Sequence, residues 1–551
     1  MATPWYVRQF TGRRLLWNIF FYLGHIGVFI YGWLKQSNDL RLAGLNKLRY
    51  SVWVSRGAGL CLGIDGLLLV LPVLRNIIRA FRPVVAPLVP LDENIWFHRQ
   101  IAYSTLIWTI VHTTAHYVNM INVERSQVRK ETAWAIMYTQ PGAFTGHVML
   151  LLMFFIYTTA HVKIRTQCFE AFWYTHHLTF FFLLGLYTHA TGCFVRGALP
   201  DTPVTCLGYE SWHWTIWGGI AYFIERVVRE VRSRRATSLV GVLMHPSGAM
   251  ELRFTKPSFR YKAGQWLFLN VPEVSAYQWH PFTISSAPDD PYVSVHIRQV
   301  GDWTQALGDR LGCTLSLAAE ITRTAGRRDS MEKGENDYGD AEFIDVGGAL
   351  LAAGRLPSIK VDGPFGAPAE DVFKSEVAIL IGTGIGVTPF ASILKNIWYM
   401  QQKRQLGALR RVHFIWCNRN TGSFEWFQTM LKKLEEAQTD PDFLCINMYL
   451  TQKMDQDMIT NIAINDAGNE FDPLTNLRSR THFGRPDFTT IFNTIRNQIE
   501  LGHYLPGRES SLKTKVGVYY CGPNELAKSL REKTKAASSA QVRFSFAKEH
   551  F

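Results

Sequence analysis

Two stretches decide the fold: Phe97–His116, FHRQIAYSTLIWTIVHTTAH, and Phe172–His189, FWYTHHLTFFFLLGLYTH. Each is an apolar run close to the roughly 20 residues that cross a bilayer. Each also carries histidines, and ionisable groups inside a span are costly enough that they persist where they do chemistry. His98 and His112 stand fourteen residues apart, about 21 Å of helical rise and nearly one face. His176 and His189 stand thirteen apart, about 20 Å. If both runs point outward from the cytosol, His98 is level with His176 and His112 with His189. That is the arrangement two stacked bis-imidazole haems require. One such histidine is commonly a helix-packing residue; four at two matched levels are not. Thirteen residues leave His176 and His189 about 140° apart on an ideal helix, so a distortion near Gly185, or haems offset around the axis, is expected. His116, one turn beyond His112, and Arg56, near the outer end of the second apolar run, are candidates for meeting a substrate there. Packing or snorkelling is the competing role for each. His147, His161 and His177 read as packing or capping residues.

The surrounding sequence repeats the pattern. Six apolar runs, at about 14–33, 52–72, 96–120, 147–164, 171–192 and 212–228, predict six membrane spans. Residues 1–235 hold 23 Lys+Arg against 11 Asp+Glu, a net of +12, whereas residues 236–551 hold 35 against 34, a net of +1. Positive charge lying between apolar runs excludes a nucleic-acid surface and fits a membrane protein joined to a nearly neutral soluble part. With the N-terminus cytosolic, fourteen basic residues fall on that side and eight opposite, which favours both termini in the cytosol. Cys193 and Cys206 share an outer loop, where either a disulfide or two thiols is open.

After Arg235 the pattern changes to short alternating strands with polar turns, the start of a β-barrel-like module. His280-Pro281-Phe282-Thr283, then His296 and Arg298, then Trp303 and Thr304 after Gly301, suit a flavin and its pyrophosphate: an aromatic with hydroxyls on a strand, an arginine, and a helix start. From about residue 375 the chain turns α/β. The buried strand VAILIG leads into Gly382, Gly384, Gly386, Thr388 and Pro389, a glycine turn that lets backbone N–H groups approach a pyrophosphate. Arg419 and Arg485 are alternatives for pairing a 2′-phosphate, with a solvated surface arginine as the other reading of each. Cys521-Gly522-Pro523 ends a last buried strand. Residues 319–356 read as a polar insertion or regulatory loop.

In these strings the sequence resembles the NADPH oxidase family, in its short fungal form without EF-hands, and is similar to the phagocyte oxidase catalytic subunit. HPFTISSAP, HIRQVGDWT, VDGPFG, GTGIGVTPFASIL, YYCGPNELA and the terminal FSFAKEHF carry the resemblance along nearly the whole chain. It implies a six-helix transmembrane haem domain over 1–235, an FAD-binding β-barrel domain over 236–370 and an NADPH-binding α/β domain over 371–551, the last two of ferredoxin-NADP reductase type. It implies two b-type haems on His98, His176, His112 and His189, with oxygen handled by Arg56 and His116. FAD would meet His280, Pro281, Phe282, Thr283, His296, Arg298, Trp303 and Thr304. NADPH would meet Gly382, Gly384, Gly386, Thr388, Pro389, Arg419, Cys521, Gly522 and Pro523, with Phe551 capping the flavin. The implied reaction passes hydride from NADPH to FAD and single electrons through the haems to O2, giving superoxide outside. The implied setting is a plasma membrane or endomembrane. The implied partners are membrane lipid, cytosolic activators including a Rac-type small GTPase, and a small membrane subunit. A ferric or cupric reductase is the nearest alternative, and an intramembrane-histidine proton channel or transporter is one of another class.

Overall fold

The computed structural model describes the chain except residues 1–11, 86–92, 127–129, 190–194, 198–204, 208–211, 246, 315, 317–343, 347–355, 420–423, 439, 453–459, 461, 463–468, 503, 506–512 and 550–551. It divides into two compact units, Met1–Val228 and Arg229–Phe551.

The first unit is helical. α1 (Gly12–Ser37) packs on α2 (Tyr50–Leu68), and α2 on α3 (Asn94–Arg125). Small residues set the α1–α2 crossing: a Cβ on Gly32 would stand 2.9 Å from the Gly57 Cα, the close approach that glycines permit between membrane helices. α4 (Pro141–Ala160) packs against α5 (Phe169–His176) and α6 (Thr179–Thr188). Phe20, Phe154 and Phe180 are exposed, as befits helices solvated by acyl chains. Among the described residues, Arg14–Ser37, Tyr50–Val73 and Pro141–Ala160 are helical, long and apolar enough to span. α3 is longer still but carries three histidines and terminal charges along its length.

The expected distortion in the fifth run lies not at Gly185 but between α5 and α6. There His177, Leu178 and Phe180 each donate a backbone N–H three residues back, to Tyr174, Thr175 and His177. A 3₁₀ turn winds 120° per residue rather than 100°. Three such steps therefore recover about 60° of the 140° mismatch between His176 and His189. Gly185 does something else: a Cβ there would run into the Met149 side chain at 2.9 Å, so the glycine admits α4.

β1 (Val195–Gly197) and β2 (Thr205–Leu207) form a short antiparallel pair after α6. α7 (Trp212–Ser233) then ends inside the second unit. In that unit β3 (Ser238–Met244), β4 (Ala249–Thr255), β7 (Val293–Arg298) and β8 (Ile344–Asp345) form one antiparallel sheet, ordered β7-β4-β3-β8. β5 (Trp266–Asn270), β6 (His280–Thr283) and β9 (Lys360–Phe365) form a second, ordered β6-β5-β9. β8 falls within the predicted insertion, most of which lies outside the described residues. α8 (Asp302–Arg310) follows β7 and buries Trp303 and Leu307 in the core between these sheets.

The remaining chain builds a six-stranded parallel sheet. Its strands are β10 (Val377–Thr383), β11 (Arg411–Asn418), β12 (Leu444–Leu450), β13 (Thr481–Phe483), β14 (Thr514–Cys521) and β15 (Val542–Lys548). Their order is β13-β12-β11-β10-β14-β15. β10 is buried from Val377 to Gly382, as a strand with helices on both faces must be. α9 (Thr388–Gln402) and α10 (Glu425–Glu436) cover one face, α11 (Phe488–Glu500) and α12 (Asn524–Ala537) the other.

Two of the arginines counted above as cytosolic charge have a partner. Arg229 Nε donates to Asp362 Oδ2 at 2.6 Å and Arg232 Nη2 to Oδ1 at 2.5 Å, with the Asp362 side chain 3% exposed. Both guanidiniums also lie over the Phe365 ring. Removing the carboxylate leaves two guanidiniums facing each other beneath apolar rings. Asp362→Ala is therefore expected to cost about 3 kcal/mol, read as a lowered thermal midpoint of the full chain in detergent. Asp362→Asn is expected to cost less.

Candidate functional site

Three of the four membrane histidines are oriented by their second ring nitrogens, whereas His176 Nδ1 is buried with no hydrogen-bond partner. His98 Nδ1 donates to the Leu69 carbonyl at 3.0 Å, and His112 Nδ1 to the Ser55 carbonyl at 2.8 Å. His189 Nδ1 meets the Thr145 hydroxyl at 2.8 Å. A carbonyl only accepts, so Nδ1 of His98 and of His112 carries the proton and Nε2 keeps its lone pair. Anchoring Nδ1 on an oxygen is how metal-binding imidazoles are held. The His98 and His176 ring centroids are 6.2 Å apart, with the ring planes inclined at 70°. Two metal–nitrogen bonds of about 2 Å plus two half-rings span about that distance. Space is kept beside His112 and His189, for a Cβ on Gly59 would touch His112 Cε1 at 3.2 Å, and one on Gly146 would touch His189 Cε1 at 3.4 Å. The four-imidazole donor set fits two bis-imidazole haems, and the His98–His176 spacing fits one of them.

Arg56 and His189 each lie within electrostatic reach of both His112 and His116, and the His116 ring sits 4.5 Å from that of His112. His147 is tied to Tyr117 and the Ala143 carbonyl, His177 to the Trp173 carbonyl, and His161 caps the short helix Val162–Gln167. These three do the packing and capping expected of them. Cys193 lies outside the described residues, and Cys206 stands on β2, paired with β1.

In the second unit His280 stacks on Trp303 at 4.1 Å, and Phe282 lies 6.1 Å from the same ring. Pro281 is exposed and Thr283 buried on β6; Arg298 ends β7 exposed. The Trp303 indole N–H is buried with no hydrogen-bond partner, an orphaned donor beside the aromatic pair. The Thr304 hydroxyl accepts from the Val300 and Gly301 amides and caps α8. His296 Nδ1 bonds Ser285 Oγ at 2.8 Å, while its Nε2 lies 4.0 Å from Glu251. His245 approaches the same carboxylate at 3.9 Å. Burial pushes His245 down to about 3 and also lowers His296. Burial acts to raise Glu251, but His296, Arg253 and His245 outweigh it and hold the carboxyl below its usual range. The donor atoms of His245, Glu251 and His296 fall within 4.8 Å of one another, a spacing a metal ion can use. Arg253, however, already grips both Glu251 oxygens, at 3.0 and 2.9 Å.

At the carboxyl edge of the parallel sheet, Gly382 on β10 is in register with Cys521 on β14. The glycines are required by contact. A Cβ on Gly386 would stand 2.6 Å from the Cys521 carbonyl, and one on Gly522, at φ +155°, would collide with Thr383 Oγ1. Thr388 Oγ1 bonds the Ile385 carbonyl at 3.0 Å and Pro389 lies in the first turn of α9. Arg419 follows β11 and Arg485 follows β13, both exposed, so both stand along this edge, with β12 between their strands. Cys521 is buried, and burial, with Glu549 nearby, pushes its thiol up to about 12. Phe551 lies outside the described residues. Two residues before it, Glu549 holds the terminal segment: its amide donates to the Tyr520 carbonyl at 2.8 Å, and its carboxylate accepts from the Ala369 amide at 2.6 Å. No sequence signal distinguished that glutamate.

Comparison with known proteins puts these parts in a class. The description "Ferric reductase like transmembrane component" matches residues 62–187, "FAD-binding domain" residues 234–369 and "Ferric reductase NAD binding domain" residues 375–535. The protein is thus a membrane-embedded electron-transfer unit fused to a flavin and nicotinamide nucleotide module. NADPH oxidase 1 of Mus musculus is 32% identical over 96% of this chain and 92% of its own length. A superoxide-generating NADPH oxidase heavy chain of Dictyostelium discoideum is 33% identical over 98% and 97%. A ferredoxin NADP+ reductase from Neisseria gonorrhoeae, solved with FAD and NADP, aligns with 56% of this chain and 98% of its own at TM-score 0.32 and 14% identity. The chain belongs to the NADPH oxidase family.

A thiol pushed up to about 12 is thiolate in only about one part in ten thousand at pH 8. Cys521 is expected to resist alkylation at that pH in the folded protein, read by mass spectrometry of the labelled chain, while exposed Cys168 reacts. Gly386→Ala, whose Cβ meets backbone rather than a movable side chain, is expected to weaken nucleotide binding at least tenfold in a direct binding assay.

Proposed function

We propose that this family member oxidises NADPH on the cytosolic side and reduces O2 to superoxide on the opposite side of the membrane. In this reading the inner haem is held by His98 and His176 and the outer by His112 and His189. The observation that carries it is the anchoring of Nδ1 on three of these four rings, which leaves Nε2 for a metal. When bound, the flavin splits the electron pair of a hydride and the haems carry single electrons.

The remaining work falls to the chain. Gly382, Gly384, Gly386 and Thr388 present the turn and the start of α9 to the nucleotide phosphates, and Arg419 or Arg485 pairs the 2′-phosphate. Pro389, Gly522 and Pro523 shape that edge, and Cys521 offers a neutral S–H beside the nicotinamide position. His280, Pro281, Phe282, Thr283, His296, Arg298, Trp303 and Thr304 seat the flavin, and Phe551 covers it. At the outer end Arg56 places a fixed positive charge, and His116 a polar ring, where superoxide develops. A preorganised charge there favours the anion over neutral O2.

Both termini are cytosolic in this reading, in the plasma membrane or an endomembrane. The proposed activators are a Rac-type GTPase and a small membrane subunit.

The test is a reduced-minus-oxidised spectrum of the purified full chain, with NADPH-dependent cytochrome c reduction assayed with and without superoxide dismutase. The wild type is expected to show b-type bands and dismutase-sensitive reduction. His112→Leu and His189→Leu are each expected to remove about half the band amplitude. Bands unchanged in both variants overturn the ligand assignment. Dismutase-insensitive reduction that extends to iron chelates makes the protein a metal reductase instead.

A further inference from the structure

A second ionisable pair lies in the membrane unit and has no part in ligation. Asp65 on α2 is 0% exposed, and its Oδ1 lies 2.9 Å from Nε2 of His25 on α1, itself 4% exposed. His25 Nδ1 is 2.8 Å from the Phe21 carbonyl. A carbonyl only accepts, so Nδ1 is protonated. The contact between Nε2 and Oδ1 therefore holds one further proton, shared by imidazole and carboxylate. The other carboxylate oxygen, Oδ2, and the Ser104 hydroxyl are both buried with no hydrogen-bond partner at bonding distance. Ser104 and Thr105 of α3 flank the carboxylate. The titratable groups facing Asp65 are Tyr22 on α1, Cys61 on α2 and Tyr157 on α4, with Tyr103 of α3 beside the two phenols.

The position gives the pair its meaning. Along α2, Asp65 is four residues, about 6 Å, from Leu69, whose carbonyl orients His98. It is ten residues, about 15 Å, from Ser55, whose carbonyl orients His112. Along α3, Ser104 falls between His98 and His112. Two helices thus independently set the pair between the two histidine levels. An electron added at either level charges a medium of low dielectric, where a nearby proton is the cheapest compensation.

We propose that His25 and Asp65 form a proton-binding site that takes up one proton when an electron enters the membrane unit. The pair already holds its shared proton and is then neutral. On one-electron reduction a second proton, drawn from water, binds at Asp65 Oδ2, so electron and proton arrive in equal number and net charge is unchanged. When the electron leaves, the proton leaves. The pair is thereby the charge-balancing element of the electron path, and this inference rests on the haem reading above.

The test is spectroelectrochemical titration of the purified full chain at pH 6, 7 and 8. In the wild type, lowering the pH by one unit is expected to shift the reduction equilibrium toward the reduced form by up to tenfold, which is 59 mV for one electron. Asp65→Asn keeps the shape and can still bond His25, and is expected to cut that shift to less than twofold. A wild-type slope retained in Asp65→Asn overturns the proposal, as does a pH-independent wild type. Should the variant lose its spectrum, the redox-induced infrared difference spectrum of the wild type decides. A carboxylic-acid band that appears on reduction and moves in D2O supports the site; its absence sinks it. Absence of b-type bands in the wild type fails the haem reading itself, a separate outcome.

Discussion

An imidazole buried in a membrane must have its N–H satisfied, and that constraint organises the first unit. His98 and His112 meet it through the Leu69 and Ser55 carbonyls, the first at the C-cap of α2 and the second within it. Because the acceptors are backbone atoms of a neighbouring helix, ring orientation is coupled to the α2–α3 packing rather than to any one side chain. The Gly32–Gly57 contact that draws α1 onto α2 therefore bears on where the rings point, one helix removed. His189 uses a side chain, Thr145 on α4, so its orientation depends on one residue and is the more easily lost.

The parallel sheet obeys a related economy. Its carboxyl edge brings the glycine turn after β10 against Cys521-Gly522 at the end of β14, and backbone contacts below van der Waals distance for a Cβ leave no room for side chains there. What remains is a surface of amides and one uncharged thiol. Such a surface admits a pyrophosphate and a flat ring by close approach rather than by a bed of charges. Arg419 follows β11, the strand next to β10, and Arg485 follows β13, two strands farther along the edge.

Much of this was legible in the sequence where the chemistry is periodic or punctuated. The 14- and 13-residue histidine spacings and the glycine turn are one-dimensional signals. The interruption after His176 was foreseen from angular arithmetic but misplaced, because Gly185 looked like the weak point and is instead the seat of Met149. The carbonyl acceptors of His98 and His112 carry no residue-type signal and could not be read. The Thr304 hydroxyl caps α8, a role that a Gly-Asp-Trp-Thr start signals no less than a cofactor contact. Asp65 and His25 are different. An acid within an otherwise apolar run is a functional candidate on composition alone, and it was eclipsed by the histidine pattern beside it.

Charge ties these parts together. The +12 on residues 1–235 reads from the sequence as topology, yet Arg229 and Arg232 are bound to one buried carboxylate of the β9 strand, so part of that excess is structural. Asp65 is the converse, one of only 11 acids in the same stretch and fully buried. In a low-dielectric medium an unmatched charge of either sign is too costly to keep. A carboxylate at 0% exposure is tolerable because His25 holds it neutral by a shared proton. An electron placed between the histidine levels meets the same rule and has the same remedy.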